Sequence, residues 1–284
     1  MKIALIGANG QLGTDIKSYF KEKGLDVAGL TQEDIEVCDF DVCDEVLKKI
    51  KPDLIINTAA FHRVNLCEDE VLSSFKVNAL GVKNLAKICL DLDIPLMHFS
   101  TDFVFGGDKS TPYTEGDCPK PVSLYGISKL AGEHIVQYML SKYYLVRVCG
   151  LYGHAGPYGK GSNFVDLMIK LAKEGKDIKV VDDQVLTPTS TKDVTEKLYE
   201  LIQTDKYGLY HMTNTGSCSW YEFACEIFKL AGLSPNISPT TSEEFGAKAR
   251  RPRYSVLDNV NLRKIGLEDL RHWKEALEDY IKEN

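Results

Sequence analysis

No apolar run in this chain approaches the roughly 18 residues that a membrane-spanning helix requires, so a membrane is not an expected partner. Basic residues are in deficit: 34 Lys and Arg face 41 Asp and Glu, a formal charge of −7. No basic field exists to hold a phosphate backbone, and nucleic acid is not an expected partner either. The eight cysteines never fall as Cys-x-x-Cys, and Cys89, Cys149 and Cys225 lie on apolar stretches, as reduced structural cysteines do. A set such as Cys38, Cys43 and Cys67 is the candidate for ligation, and no metal is expected. There is no internal repeat, low-complexity tract or long linker, so the parts of the chain are expected to pack closely with a site in the cleft between them. Room for a cleavable leader is also lacking. Lys2-Ile3-Ala4-Leu5-Ile6 already reads as a strand feeding a glycine loop, and a cytoplasmic location is expected.

What is present is an ordinary globular composition, 44% hydrophobic and 26% charged. Apolar runs at Ile3 to Ile6, Val27 to Leu30, Leu54 to Asn57, Leu96 to Ser100 and Tyr144 to Val148 alternate with helical patterns such as Leu12 to Lys23 and Val71 to Leu92. Continuous apolar strands separated by helices predict a parallel sheet covered on both faces. The fold class is therefore α/β, a doubly wound, Rossmann-like parallel sheet, with residues 1–150 forming the dinucleotide-binding domain. After Gly150 the texture changes: Gly153 to Gly161 is rich in Gly and Tyr, a helix is predicted from Asn163 to Glu174, and later loops carry Thr, Ser and Pro. Strand-like Lys179 to Val181 and Gly208 to Met212 are expected to return to the main sheet. The smaller C-terminal substrate domain is then discontinuous, residues 151–175 and 214–284, with returns near 176–213 and 253–260. The tail from Glu268 to Lys282 reads as an amphipathic packing helix through Leu270, Trp273, Leu277 and Tyr280.

Two groups of residues carry chemistry. The run Gly7-Ala8-Asn9-Gly10-Gln11-Leu12-Gly13 directly follows a buried strand. Its glycine spacing permits a tight turn, close approach of backbone to a pyrophosphate, and packing of helix on sheet, while the helix from Gln11 aims its amides and positive dipole end at the phosphates. Gly7, Asn9, Gly10, Gln11, Leu12 and Gly13 are thus candidate cofactor residues, and small Thr58, Ala59 and Ala60 would line the same groove. The second strand ends Ala28-Gly29-Leu30-Thr31-Gln32, with neither an acid for a ribose 2′-hydroxyl nor an Arg for a 2′-phosphate, so NADPH and NADH both stay open as cofactors. In the second group, Tyr125 and Lys129 sit four apart on one helix face. An adjacent ammonium is expected to lower a phenol pKa from its usual value of about 10 and make Tyr125 a proton relay. Thr101, at the end of an apolar strand, would be a second donor to the same substrate oxygen.

With these motifs in place, the chain resembles extended short-chain dehydrogenases/reductases, and most closely the dTDP-4-dehydrorhamnose reductase family, over nearly all 284 residues. The similarity lies in Gly7 to Gly13, Asn57 to Ala60, Ser100 to Phe105, Pro112 to Glu115, Tyr125 to Glu133, Gly161 to Phe164, Asp183-Gln184, Thr187-Pro188-Thr189, Arg250-Arg251-Pro252 and Ser255 to Asp258. The resemblance implies Thr101, Tyr125 and Lys129 as catalytic residues, and adds Ser100, Asp41, Val42 and Asn78 to the cofactor side. Asp41-Val42-Cys43-Asp44 resembles an Asp-x-x-Asp run whose first carboxylate meets the adenine amino group; a plain helix cap by Asp41 or Asp44 is the alternative. Asn78 matches an Asn that supports the catalytic geometry in many relatives. Thr101, Asp102, Phe103, Tyr125, Asn163, Gln184, Thr187, Thr189 and Arg251 are implied near a nucleotide diphosphate sugar, Arg because its fork holds a diphosphate bidentately; surface ion pairing is the alternative for Arg250, Arg251 and Arg253.

The implied activity is NAD(P)H-dependent reduction of the 4-keto group of a dTDP-4-keto-6-deoxy sugar, in dTDP-rhamnose biosynthesis. Alternatives are a nucleotide-sugar epimerase or dehydratase, the latter disfavoured because Asp102 is followed by Phe103 and not by a second acid, and a non-catalytic regulatory subunit similar to that of methionine adenosyltransferase. A homodimer is left open. Three departures predict a shifted sugar pocket with unchanged redox machinery. Phe103 stands where the family usually has Tyr, Val148-Cys149-Gly150 replaces its usual Thr-Ser-Trp, and Phe61-His62-Arg63-Val64-Asn65 replaces small uncharged residues; His62 is a candidate substrate contact.

Overall fold

The computed structural model describes residues 1–156 and 162–283. Its N-terminal half alternates strand and helix: β1 (Lys2–Ile6), α1 (Gln11–Glu22), β2 (Asp26–Leu30), α2 (Phe40–Ile50), β3 (Leu54–Asn57), the short α3 (Val64–Cys67) and α4 (Val71–Phe75), α5 (Val82–Leu92), β4 (Leu96–Thr101), α6 (Leu124–Met139) and β5 (Tyr143–Val148). Beyond it follow β6 (Leu151–Tyr152), α7 (Phe164–Lys173), β7 (Ile178–Val181), β8 (Val185–Leu186), β9 (Thr189–Ser190), α8 (Thr191–Leu201) and β10 (Gly208–His211). The chain closes with β11 (Cys218–Ser219), α9 (Trp220–Leu230), β12 (Ile237–Thr240), α10 (Ser242–Phe245), α11 (Val260–Lys264) and α12 (Trp273–Glu283).

Six strands form one parallel sheet in the order β10-β5-β4-β3-β1-β2. Alternation along each strand explains its continuous apolar sequence. On β1, Ile3 and Leu5 face a core shared with Leu12, Ile16 and Phe20 of α1 and Leu198 of α8. Ala4 and Ile6 face the opposite core, with Leu47 of α2, Leu85 of α5 and Val136 of α6. Because β2 lies on one side of β1 and β3 on the other, strand order reverses at β1, and the crevice beyond the carboxyl ends of β1 and β3 is where such sheets bind ligands.

Some local expectations change. Gly208–His211 joins the main sheet beside β5, but the 179–181 run does not. Ile178 and Val180 bury among Phe223, Ile227 and Phe228 in a third apolar cluster, so β7 pairs in parallel with β12 where that cluster lies. Residues 253–260 likewise stay out of the main sheet; Tyr254 and Leu257 form isolated bridges to Val185 and Tyr113, neither of which belongs to it. The predicted helix from Val71 is broken by a π-helical turn at Lys76–Gly81. The tail becomes helical only at Trp273, because Arg271 and His272 are held extended against Thr215. Gly161, in one of the matching segments, lies outside the described residues. The eight cysteines are all free thiols. Among the described residues no group of three or more His, Cys, Asp or Glu side chains is arranged to hold a metal ion, and no helix is long and apolar enough to cross a membrane.

Candidate active site

A cavity of about 750 Å³ runs along the carboxyl ends of β1, β3 and β4. At its first wall the chain leaves β1 through Gly7, whose φ of +81° suits a residue without a side chain; a Cβ there would stand 2.6 Å from Thr58 Oγ1. The Gly7 and Ala8 amides donate to Leu30 O, and Gly10 N donates to Gly7 O at 3.0 Å, closing the turn. Gly13 lets α1 press on that turn, since a Cβ would lie 2.2 Å from Gly7 O. Gly10 caps α1 with no side-chain bond, which leaves the first-turn amides free of a protein cap and facing the cavity. A Cβ on Gly10 would press on Gly7 O at 3.3 Å, a contact that a shift of a few tenths of an ångström relieves, and would meet nothing else within 4 Å. Two buried atoms on the cavity wall, Gln11 Oε1 and Ser100 Oγ, have no hydrogen-bond partner among the described residues. An uncapped helix start and two orphaned polar atoms along one groove fit a dinucleotide.

The other end of the cavity holds the reactive side chains. Strand β4 is buried along its whole length and delivers Thr101 to the rim. Its Oγ1 donates to Asp102 Oδ1 at 3.0 Å and accepts from Phe103 N at 3.2 Å. Ser123 caps α6 through Gly126 N at 3.2 Å, which sets the start of the helix that bears Tyr125 and Lys129. Gly126 permits close approach, because a Cβ would lie 2.2 Å from Phe103 O. That approach sets Tyr125 edge-on against Phe103, ring centroids 5.6 Å apart at 76°. The phenol also hydrogen-bonds Thr101.

Electrostatics here run against one expectation. Burial, together with the Asp102 charge, pushes the Tyr125 phenol up, not down. Lys129 does not counter this: its Nζ donates to Phe99 O at 2.6 Å, and burial pulls the amine down to about 8 despite the opposing charge of Glu133. Tyr125 is accordingly a neutral phenol at neutral pH, the form that donates a proton. Asp102 is also held up by burial, against hydrogen bonds from Ser255, Cys149 and Thr101.

Of the residues singled out in the sequence, Gly7, residues 9–13, 58–60 and 100–103, Tyr125, Lys129 and Asn163 line this cavity. Others do not. Asp41 and Val42 are exposed on the first turn of α2, capped by neither Asp41 nor Asp44 but by Asp39, whose Oδ1 accepts from Val42 N at 3.1 Å. The wall expected of them is built by Gln32, Ile35, Glu36 and Val37, with Glu36 accepting from Gln32 Nε2 and Cys38 N. Glu36-Val37-Cys38-Asp39 has the same acid-x-x-acid spacing five residues earlier, the signal that sequence reasoning passed over. Asn78 is fully buried behind the wall. It braces Phe61 through both the amide and the carbonyl, and donates to Ser128 Oγ at 3.0 Å, tying the 59–61 segment to α6.

The substrate-side candidates divide in the same way. Asn163 reaches the cavity, but its amide caps α7 and donates to Gly153 O and Tyr280 OH. Gln184 bonds Ser242 Oγ, Thr187 bonds Gly216 O and Thr189 bonds Thr187 O, so all three stitch the C-terminal part together away from the cavity. Arg251 lies in an adjoining depression of about 450 Å³ with Asn65 and Lys248, which shares Arg63 and Val64 with the main cavity. Phe61 and His62 do line the cavity. Gly150 has φ +54°, and a Cβ would stand 2.8 Å from Leu186 Cδ1, so the backbone itself disfavours a large side chain there.

The RmlD substrate binding domain family model matches residues 1–284. A crystal structure of a dTDP-4-dehydrorhamnose reductase from Clostridium acetobutylicum is 41% identical, covers 99% of each chain and superposes with a TM-score of 0.95. A dTDP-4-dehydrorhamnose reductase from Bacillus anthracis, solved in complex with NADP, is 38% identical over 100% of both chains, also at 0.95. The spore coat polysaccharide biosynthesis protein SpsK of Bacillus subtilis is 37% identical over 282 residues, 99% of this chain and 97% of its own.

Proposed function

Because the chain belongs to the dTDP-4-dehydrorhamnose reductase family, we propose that it reduces the 4-keto group of a dTDP-4-keto-6-deoxy sugar with NADPH or NADH, in dTDP-rhamnose biosynthesis. The observation that carries this reading is one cavity with an uncapped glycine turn at one end and Thr101, Tyr125 and Lys129 at the other. The dinucleotide, when bound, supplies the hydride that adds to C4. Amides of the first turn of α1 would hold its phosphates, and Ser100 and Lys129, on the wall of the same cavity, would hold the nicotinamide ribose. Thr101 and Tyr125 orient the carbonyl oxygen, and Tyr125 gives its proton to the alkoxide that forms, so that carbonyl, hydride and proton make up the carbinol. Burial assists by keeping that proton on the phenol at neutral pH. Arg251, half-buried, with Arg63 and Lys248 on the same depression, would meet the diphosphate.

The test is the near-ultraviolet absorbance of reduced nicotinamide, followed while NADPH or NADH is mixed with the enzyme and enzymatically made dTDP-4-keto-6-deoxy sugars. Stoichiometric oxidation with at least one sugar is expected, with a higher KM in Arg251→Ala. Absence of turnover with every sugar and both cofactors would overturn the proposal.

A further inference from the structure

The buried pair of Glu133 and Arg147 lies outside the machinery above. Arg147 donates through Nε to Glu133 Oε1 at 2.9 Å and through Nη2 to Oε2 at 2.6 Å, with side chains only 3% and 1% exposed. The guanidinium also reaches His211 Nε2 at 3.4 Å and lies over the Phe105 ring, 5.1 Å from its centroid. A buried ion pair is a weak source of stability, because desolvating two charges offsets most of their attraction. Its position offers a better reason. Glu133 is four residues beyond Lys129 on α6, so the two side chains leave the helix on the same face, both buried.

Lys129 needs a negative neighbour. Its acceptor among the described residues is Phe99 O on β4, a neutral carbonyl. The other titratable groups around it offer no counter-charge: Tyr125 on α6 keeps its proton, and buried His98 on β4 is held neutral, its imidazole and the Lys129 charge opposing each other. Glu133 is the carboxylate that favours the ammonium, and Arg147 on β5 fixes its orientation.

We propose that Glu133, oriented by Arg147, is a positioning residue that keeps Lys129 charged in the working enzyme. The inference rests on the role given to Lys129 above. It is tested on the whole chain in two ways: kcat/KM against pH, and 15N NMR of the lysine amines without any sugar, the Lys129 signal being identified by its loss in Lys129→Met. In Glu133→Gln the alkaline limb and the NMR midpoint both move down by about one pH unit, giving roughly tenfold lower kcat/KM at about pH 8.5 and less than about twofold at about pH 6. Glu133→Asp moves both back toward wild type.

Should Glu133→Gln leave Arg147 too costly to bury, the double variant Glu133→Gln/Arg147→Met removes both charges and still shows a downward shift, of about half a unit. An unchanged midpoint in that double variant, with rate lost evenly across pH, overturns the proposal. A midpoint that falls in a chain turning over no sugar supports the role of Glu133 while defeating the reductase reading, so the two failures are distinguishable.

Discussion

Replacing Tyr125 by Phe removes one hydroxyl and its hydrogen bond with Thr101. The ring keeps its edge-to-face packing on Phe103, 5.6 Å between centroids. Thr101 keeps its bonds to Asp102 Oδ1 and Phe103 N, so no buried donor or acceptor is stranded. Stability should therefore change by less than about 1 kcal/mol, and affinity for NADPH or NADH should stay within about threefold. Turnover is different, because the deleted atom is the proposed proton donor. Loss of a general acid costs about 10²–10⁴ in rate, which is about 3–5 kcal/mol on the barrier. Thr101, by turning its hydroxyl from Asp102 Oδ1 to the carbonyl oxygen, remains as a single donor and keeps the loss finite. Steady-state kcat/KM by nicotinamide absorbance, direct cofactor titration by fluorescence and a thermal melt separate the three quantities. Retention of more than roughly a tenth of wild-type kcat/KM would show that another group delivers the proton. A parallel collapse of cofactor affinity would show that Tyr125 serves binding and not chemistry.

Other substitutions test neighbouring claims. Gly10→Val abolishes dinucleotide binding with an unchanged circular dichroism spectrum, since the open space in front of Gly10 is filled while the local φ of −81° suits Val; binding within a few fold of wild type would make the loop a plain turn. Glu36→Ala weakens cofactor binding several-fold whereas Asp41→Ala leaves it unchanged, as the cavity wall requires; the reverse order in a fluorescence titration restores the Asp41 assignment. Lys129→Ala lowers both cofactor affinity and turnover, and normal affinity would remove its ribose contact. Across a panel of 4-keto sugars, Phe103 and Gly150 shift preference by roughly 10- to 200-fold from dTDP-4-keto-rhamnose, each lost contact being worth about 1–3 kcal/mol. A clear kcat/KM optimum on that sugar at ordinary efficiency means the two departures are neutral.

What the sequence determined by itself was whatever depends on local spacing and on the periodicity of buried residues. Consecutive apolar residues from Ile3 to Ile6 are stable only in a strand covered on both faces, so the parallel sheet was legible. The glycine run after that strand and the four-residue step from Tyr125 to Lys129 specify a turn and a helix face wherever the chain folds, so both ends of the cavity were legible too. Tertiary structure decided everything that depends on which neighbour wins. Asp41 and Glu36 stand in equivalent motifs, and the start of α2 at the Asp39 cap leaves one exposed on the first helical turn and the other on the wall before it. Gln184, Thr187 and Thr189 carry groups fit to touch a ligand, yet Ser242 takes Gln184, Gly216 O takes Thr187 and Thr187 O takes Thr189 first. The Lys129 and Tyr125 side chains are neighbours on the helix, but burial is a property of the whole fold. Together with the Asp102 charge it pushes the phenol up and leaves it holding its proton, while the amine of Lys129 is itself pulled down.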